Sequence, residues 1–329
     1  MTVKELKLIG FLKSKTMTLL IAMFSIIAAV VSMKSGDSGV VPGLKGLGFP
    51  SPNTWFASAG TSFNWAWLCY LGVGVGMVLV NRIYNLLRTL SLTFASYFVL
   101  MVAATPIASV RFYGGTLLVV LVLAATVLLF STFNKPANTR HVFLGFLLLT
   151  AGALTQYGFV PYIPILLMGC GQMRIFRMRT FLAALLGIVT PVWICYGFGW
   201  IDFSHFSKPK FDSVFSVLSD GRLAQYLAVE VTTALLLVGL IIANMIKIYS
   251  YNLRTRAMNG FVLVVSFTTI LLSGVDFTNM PFYFPLLCCC TAFQLGHFLR
   301  IKENSRAGYI VALAVLVVYV GLYIWSTAI

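Results

Sequence analysis

Charge is the scarcest property of this 329-residue chain: 9% of residues are charged, against about 25% in soluble domains, while 60% are hydrophobic and the mean hydropathy is +0.95. A soluble globular domain is excluded. Histidine is nearly as rare, and His141, His205 and His297 are scattered with no metal-ligand spacing. The cysteines, Cys69, Cys170, Cys195 and the run Cys288, Cys289, Cys290, all lie inside apolar stretches, so none is placed for a disulfide outside a membrane. Consecutive helical residues point about 100° apart, so the triplet cannot present one metal face, and small apolar packing is the expected role. A glycine-rich phosphate loop is also missing. The stretch "GVGVGMVLVN" has glycines at 72, 74 and 76 but neither follows a strand nor precedes a lysine, and close helix packing explains it better. No cofactor or metal is expected.

The alternating segments of a membrane β-barrel are missing too, because runs such as "GGTLLVVLVLAATVLLF" are apolar on every face. What the chain does contain is a series of apolar runs long enough to cross a bilayer as helices. The expected fold class is an all-α polytopic bundle of eleven spans: 16–33, 62–80, 89–109, 113–132, 142–158, 160–172, 181–200, 223–246, 258–275, 282–298 and 307–327. Residues 1–329 read as one membrane domain, with a basic segment at 1–15 and outer loops at 34–61 and 201–222.

The formal net charge of +15 follows the same geometry. With the N-terminus inside, seventeen of the 23 Lys and Arg fall on the cytoplasmic side and six outside. This is the positive-inside asymmetry of an inner-membrane protein and not a nucleic-acid footprint. Lys4, Lys7, Lys13 and Lys15 ahead of the first run resemble a signal peptide. The 18-residue core exceeds the usual h-region of about 7 to 15 residues and no clean A-x-A site follows, so an uncleaved anchor is expected.

Two segments carry their own breakers. In "VDFTNMPFYFPLLCCC" the knot at Asp276–Asn279 reads as an outer turn, Pro281 as the start of the returning helix and Pro285 as a kink in its first turn. Two spans of about 17 residues each would then fit between the flanking basic loops. The segment "TQYGFVPYIPILLMG", with Gly158, Pro161 and Pro164, repeats the arrangement, giving two short hairpins. The fourth to seventh and the eighth to eleventh spans show the same order of span, basic loop, hairpin and span, which suggests a parallel repeat. "NRIYNLLRT" at 81–89 and "KIYSYNLRT" at 247–255 echo each other, although Tyr84 and Tyr249 also suit a plain interfacial belt.

Two places stand out as candidate sites. Glu230 lies eight residues beyond Arg222, about 12 Å into its helix, where a stranded carboxylate costs roughly 2.5 to 3.5 kcal/mol. A structural alternative is a protonated Glu hydrogen-bonded to a nearby hydroxyl or to Gln225. The second place is the loop 201–222, where His205, Lys208, Lys210 and Arg222 could gather on the phosphate of a lipid headgroup, unless the loop is merely solvated.

The stretches "GFVPYIPILLMGCGQMRIFRMRTFLAALLGIVTPVWICYGFG", "LRTRAMNGF" and "SGVDFTNMPFYFPLL" resemble a family of uncharacterised polytopic inner-membrane proteins of Bacteroidetes, some of which carry a carotenoid-oxygenase label. The resemblance implies a location and no activity. Carotenoid oxygenases hold iron with four histidines on a propeller, which three histidines and no β pattern contradict.

Three functions compete. The first is a non-catalytic envelope protein that binds, moves or organises lipid-linked or other hydrophobic material, with membrane lipid, a lipid-linked glycan intermediate and other membrane proteins as partners and no nucleic acid. The second is a membrane glycosyltransferase or glycan polymerase, weakened because the first outer loop offers Asp37 alone. The third is a secondary transporter, suggested by Glu230 and the broken helices.

The charge count makes a topological prediction: a reporter fused after Ser204 reads as periplasmic and one fused after Arg177 as cytoplasmic. A periplasmic signal at Arg177 would turn the hairpin at 142–172 into a single span and invert everything after it.

Overall fold

The computed structural model describes residues 10–11, 14–34, 49–87, 92–201, 221–302 and 305–327. Among them the chain is helical throughout, and eight helices are long and apolar enough to cross a membrane. The chain is an integral multi-pass membrane protein with a polytopic helical bundle.

In chain order the helices are α1 (Lys15–Lys34), α2 (Ala59–Tyr84), α3 (Thr93–Ala103), α4 (Pro106–Ser109), α5 (Gly114–Ser131), α6 (Thr139–Thr155), α7 (Tyr162–Gln172), α8 (Met178–Gly197), α9 (Gly221–Tyr249), α10 (Leu253–Val275), α11 (Met280–Ile301) and α12 (Arg306–Thr327). The loops near Arg82, Lys135, Arg174, Arg254 and Arg300 mark one end, called here the basic end. The other end carries short 3-10 turns at Pro52–Thr54, Tyr157–Phe159 and Phe277–Asn279.

The bundle is built around α11. About 94% of its span is buried, against 28% for α1 and α12, and every residue from Met280 to Phe298 is buried. α9, α10, α5, α3 and α12 all pack against it. α6 and α8 form an arm, with α6 packed on α5 and on α8. The triplet Cys288–Cys290 sits in this central helix, where small side chains admit neighbours closely.

The breakers in α11 have partners. Pro285 has no N–H to give to the carbonyl of Pro281, four residues back. The Tyr113 hydroxyl donates to that carbonyl at 3.0 Å. The hairpin of α10 and α11 stands as expected, but its helices run to 23 and 22 residues. They exceed the expected length of about 17 because their basic ends continue past the apolar core, carrying Arg254, Arg256 and Arg300 inside the helices. The first hairpin is shorter, 17 and 11 residues in α6 and α7.

One expectation is corrected. The run 89–109 does not form one continuous span: α3 ends at Ala103, Thr105 is extended (φ −120°, ψ 105°), and Pro106 opens the four-residue α4. Proline disfavours helix in the residue before it, which is why the helix stops there. The broken backbone is buried, so it needs partners inside the protein. Thr105 Oγ1 donates to Val102 O, Tyr70 OH to Ala108 O, Trp67 Nε1 to Ser109 O, and Phe112 N to Ser62 Oγ.

The suggested repeat recurs in element order but not in packing. In the first unit the outgoing hairpin helix α6 makes the main contacts, with α5 and α8; in the second the returning helix α11 takes that place, with α9 and α10. Of the glycines at 72, 74 and 76 in α2, Gly76 is close to Leu123, Gly74 makes ordinary contact with Val99, and Gly72 faces open space.

The α8 arm supplies a stability test. A Cβ at Gly187 would lie 2.6 Å from the backbone carbonyl of Phe143, which cannot turn aside, whereas one at Gly72 meets nothing within 4 Å. Gly187→Ala should destabilise the fold by about 1–3 kcal/mol through overpacking, while Gly72→Ala should be neutral or stabilising by up to about 1 kcal/mol. Thermal unfolding of both variants in detergent checks this, and equal effects would show that α8 does not pack on α6 as described.

Candidate functional site

α9 buries one stripe, Tyr226, Val229, Glu230, Thr233, Leu237, Leu240, Ile241 and Asn244, at the three- and four-residue spacing of a single helix face. That face meets α11. The Tyr226 ring stands edge-on to Phe284 with centroids 5.5 Å apart. One turn further along lies Glu230, 3% exposed. Neither of its carboxyl oxygens has a hydrogen-bond partner, and the Tyr226 hydroxyl has none either.

Several helices bring polar groups around this carboxyl. The hydroxyls of Ser273 on α10 and of Tyr226 act on it, although neither meets hydrogen-bond geometry with it. Tyr113, just before α5, and Cys288 on α11 lie within electrostatic reach of Glu230. Tyr70 stands behind them on α2, its hydroxyl shared with Thr116 Oγ1 at 2.8 Å. Most of these groups are committed elsewhere: Tyr113 to Pro281 O, Ser273 to Ile270 O. A bare buried carboxylate is expensive, so the site suits a neutral acid or a carboxylate that shares its space with a cation.

A second carboxyl lies close by. Asp276 caps the end of α10; its Oδ1 accepts from Asn279 Nδ2 at 2.7 Å and its Oδ2 from Tyr283 OH at 3.3 Å. It is half-buried, in the turn between two spans, and burial pushes its carboxyl above the ordinary value of 3.8 despite these bonds. Ser273 is three residues earlier, the spacing that puts two side chains on one helix face.

The basic end has its own polar group. Asn244 Nδ2 donates to the Gln294 carbonyl at 2.8 Å and to its side-chain oxygen at 3.1 Å, and His297 Nε2 lies 2.6 Å from Asn259 Oδ1. Asn259 Nδ2 gives to the Thr255 and Leu86 carbonyls, so Oδ1 is the acceptor and His297 Nε2 the donor. All four side chains are buried.

The site residues expected from sequence divide as follows. His205, Lys208 and Lys210 lie outside the described residues, and so does the side chain of Arg222 in the first turn of α9. Glu230 is inside the bundle as expected, but not hydrogen-bonded to a hydroxyl or to Gln225, whose Nε2 is itself unpartnered. Cys289 and Cys290 line a small apolar crevice with Val122, Phe261, Leu286 and Phe293. Among the described residues no three His, Cys, Asp or Glu side chains gather as metal ligands. Sequence reasoning passed over Tyr226 and Asp276 as site residues. The signals were a Tyr one turn before the buried Glu and an Asp with an Asn three residues on.

Asp276 gives the site a pH signature. Its proton binds more tightly in the folded chain than in the unfolded one, so stability rises as pH falls through the raised value and levels off below 3.8. Asp276→Asn cannot titrate and should flatten that part of the curve of melting temperature against pH; an unchanged curve would assign the dependence to other groups. The chain matches no known protein-family model, and comparison with curated proteins gives no match.

Proposed function

We propose that the chain is a non-catalytic protein of a bacterial inner membrane, N-terminus cytoplasmic and C-terminus periplasmic, that carries or organises hydrophobic or lipid-linked material, and that Glu230 is the proton-binding group on which this depends. The observation that carries the reading is a carboxyl buried among helices with both oxygens unpartnered. A group that expensive is retained in a membrane interior where something binds to it. The location follows the resemblance and the positive-inside asymmetry.

Movement of cargo, as in a secondary transporter, is favoured over static organisation by one further feature. The discontinuous α3 and α4 pack against α11, and interrupted helices near a buried charge are the common setting of transporter sites. The glycan-transfer alternative rests on the loops 34–61 and 201–222, which lie largely outside the described residues.

Glu230→Gln keeps the volume and the hydrogen-bonding reach but removes titration. The variant should express and melt like the wild type while failing to complement the phenotype of a deletion strain in the native host. Full complementation by Glu230→Gln would leave Glu230 a structural residue and remove the basis of the proposal.

A further inference from the structure

We propose that Asp276 is the portal through which protons reach Glu230 from the end opposite the basic loops, with Ser273 as the intervening step. The inference rests on the reading of Glu230 as a proton-binding group. Three side chains descend in order from the end of the bundle to its interior: Asp276 is half-exposed, Ser273 buried and Glu230 buried. Asp276, the C-cap just past α10, follows Ser273 by three residues, a spacing at which helical neighbours stand about 5–6 Å apart at Cβ. Ser273 is in turn an α10 hydroxyl that interacts with Glu230.

The carboxyl of Asp276 is aimed, not loose. Asn279 Nδ2 and Tyr283 OH hold one oxygen each and so hold the carboxyl at the end of α10. The titratable groups that face Glu230 are Tyr226 on its own helix, Tyr113 ahead of α5 and Cys288 on α11, with Tyr70 of α2 behind; Tyr283 of α11 faces Asp276, with Tyr162 of α7 behind it. Among the described residues no Lys or Arg is in either group. The phenols of Tyr113, Tyr70 and Tyr162 are engaged with Pro281 O, Ala108 O and Thr269 Oγ1. Ser273 donates to the Ile270 carbonyl of its own helix at 3.1 Å, a bond that a rotation about χ1 releases.

The transfer balances. Protonated Asp276 gives its proton to Ser273 Oγ while the Ser273 hydroxyl passes its own proton to a carboxylate oxygen of Glu230. One O–H bond breaks and one forms at the serine, the negative charge moves from Glu230 to Asp276, and Asp276 reloads from water at that end.

The test is a pH-jump infrared measurement on the full chain in lipid nanodiscs. Glu230 protonation is read as the carboxylic-acid band that Glu230→Gln abolishes. In Asp276→Asn and in Ser273→Ala the rise of that band should slow by about a hundredfold, the scale on which a positioned proton-transfer group acts, and Asp276→Glu should restore the rate. Unchanged rates in both variants would overturn the route while leaving Glu230 a proton site. A wild type without the band would overturn the reading of Glu230 and the route with it. If Asp276→Asn fails to fold, the small substitution Ser273→Ala decides alone.

Discussion

A hydroxyl from Tyr113 resting on the carbonyl of Pro281 is the contact on which the centre of this bundle depends. In a bilayer each unsatisfied backbone group costs several kcal/mol, so a proline deep in the core is tolerated only if another part of the chain serves the carbonyl it strands. The short α4 obeys the same rule, the carbonyls of its last residues, Ala108 and Ser109, being served by Tyr70 and Trp67 from α2. The aromatic side chains thus do the work that water does at a soluble loop. Because they come from other helices, they also fix where those helices stand, and the same phenols that repair the backbone form the wall around Glu230.

The span boundaries were legible because the apolar runs are long and the cations cluster in every second loop between them. The break at Thr105 was not, since a proline in an apolar run is common in membrane helices and only the extended φ and ψ of Thr105 distinguish a break from a kink. The central place of α11 was equally hidden. Lipid and protein interior are both apolar, so hydropathy does not separate a helix that faces one from a helix that faces the other. The most buried of the eight spans is in fact the least hydrophobic, because surrounded on all sides it can carry Tyr283, Thr291, Gln294 and His297 against partners.

The candidate site divides along the same line. Glu230 was visible as a carboxyl too far along its helix to reach the interface. Its surroundings were not, because Tyr70, Tyr113, Ser273 and Cys288 come from four separate stretches that only the packing brings together. Residues 202–220 of the loop 201–222, with His205, Lys208 and Lys210, lie outside the described residues, so the sequence remains the basis for reading them.

Enclosure of α11 has a consequence for how the protein is made. The helix at the centre is the last but one of the described helices to emerge, so the ribosome delivers most of its neighbours first, before the helix they surround has been synthesised. Tyr97 waits for the carbonyl of Ala312, 215 residues later, and Tyr113 for that of Pro281. Until Phe298 has entered the membrane, the surfaces that α3, α5, α9 and α10 turn toward α11 lack that partner. Pairings this distant in sequence close slowly, and a chain stopped before α11 would present those surfaces to chaperones and proteases.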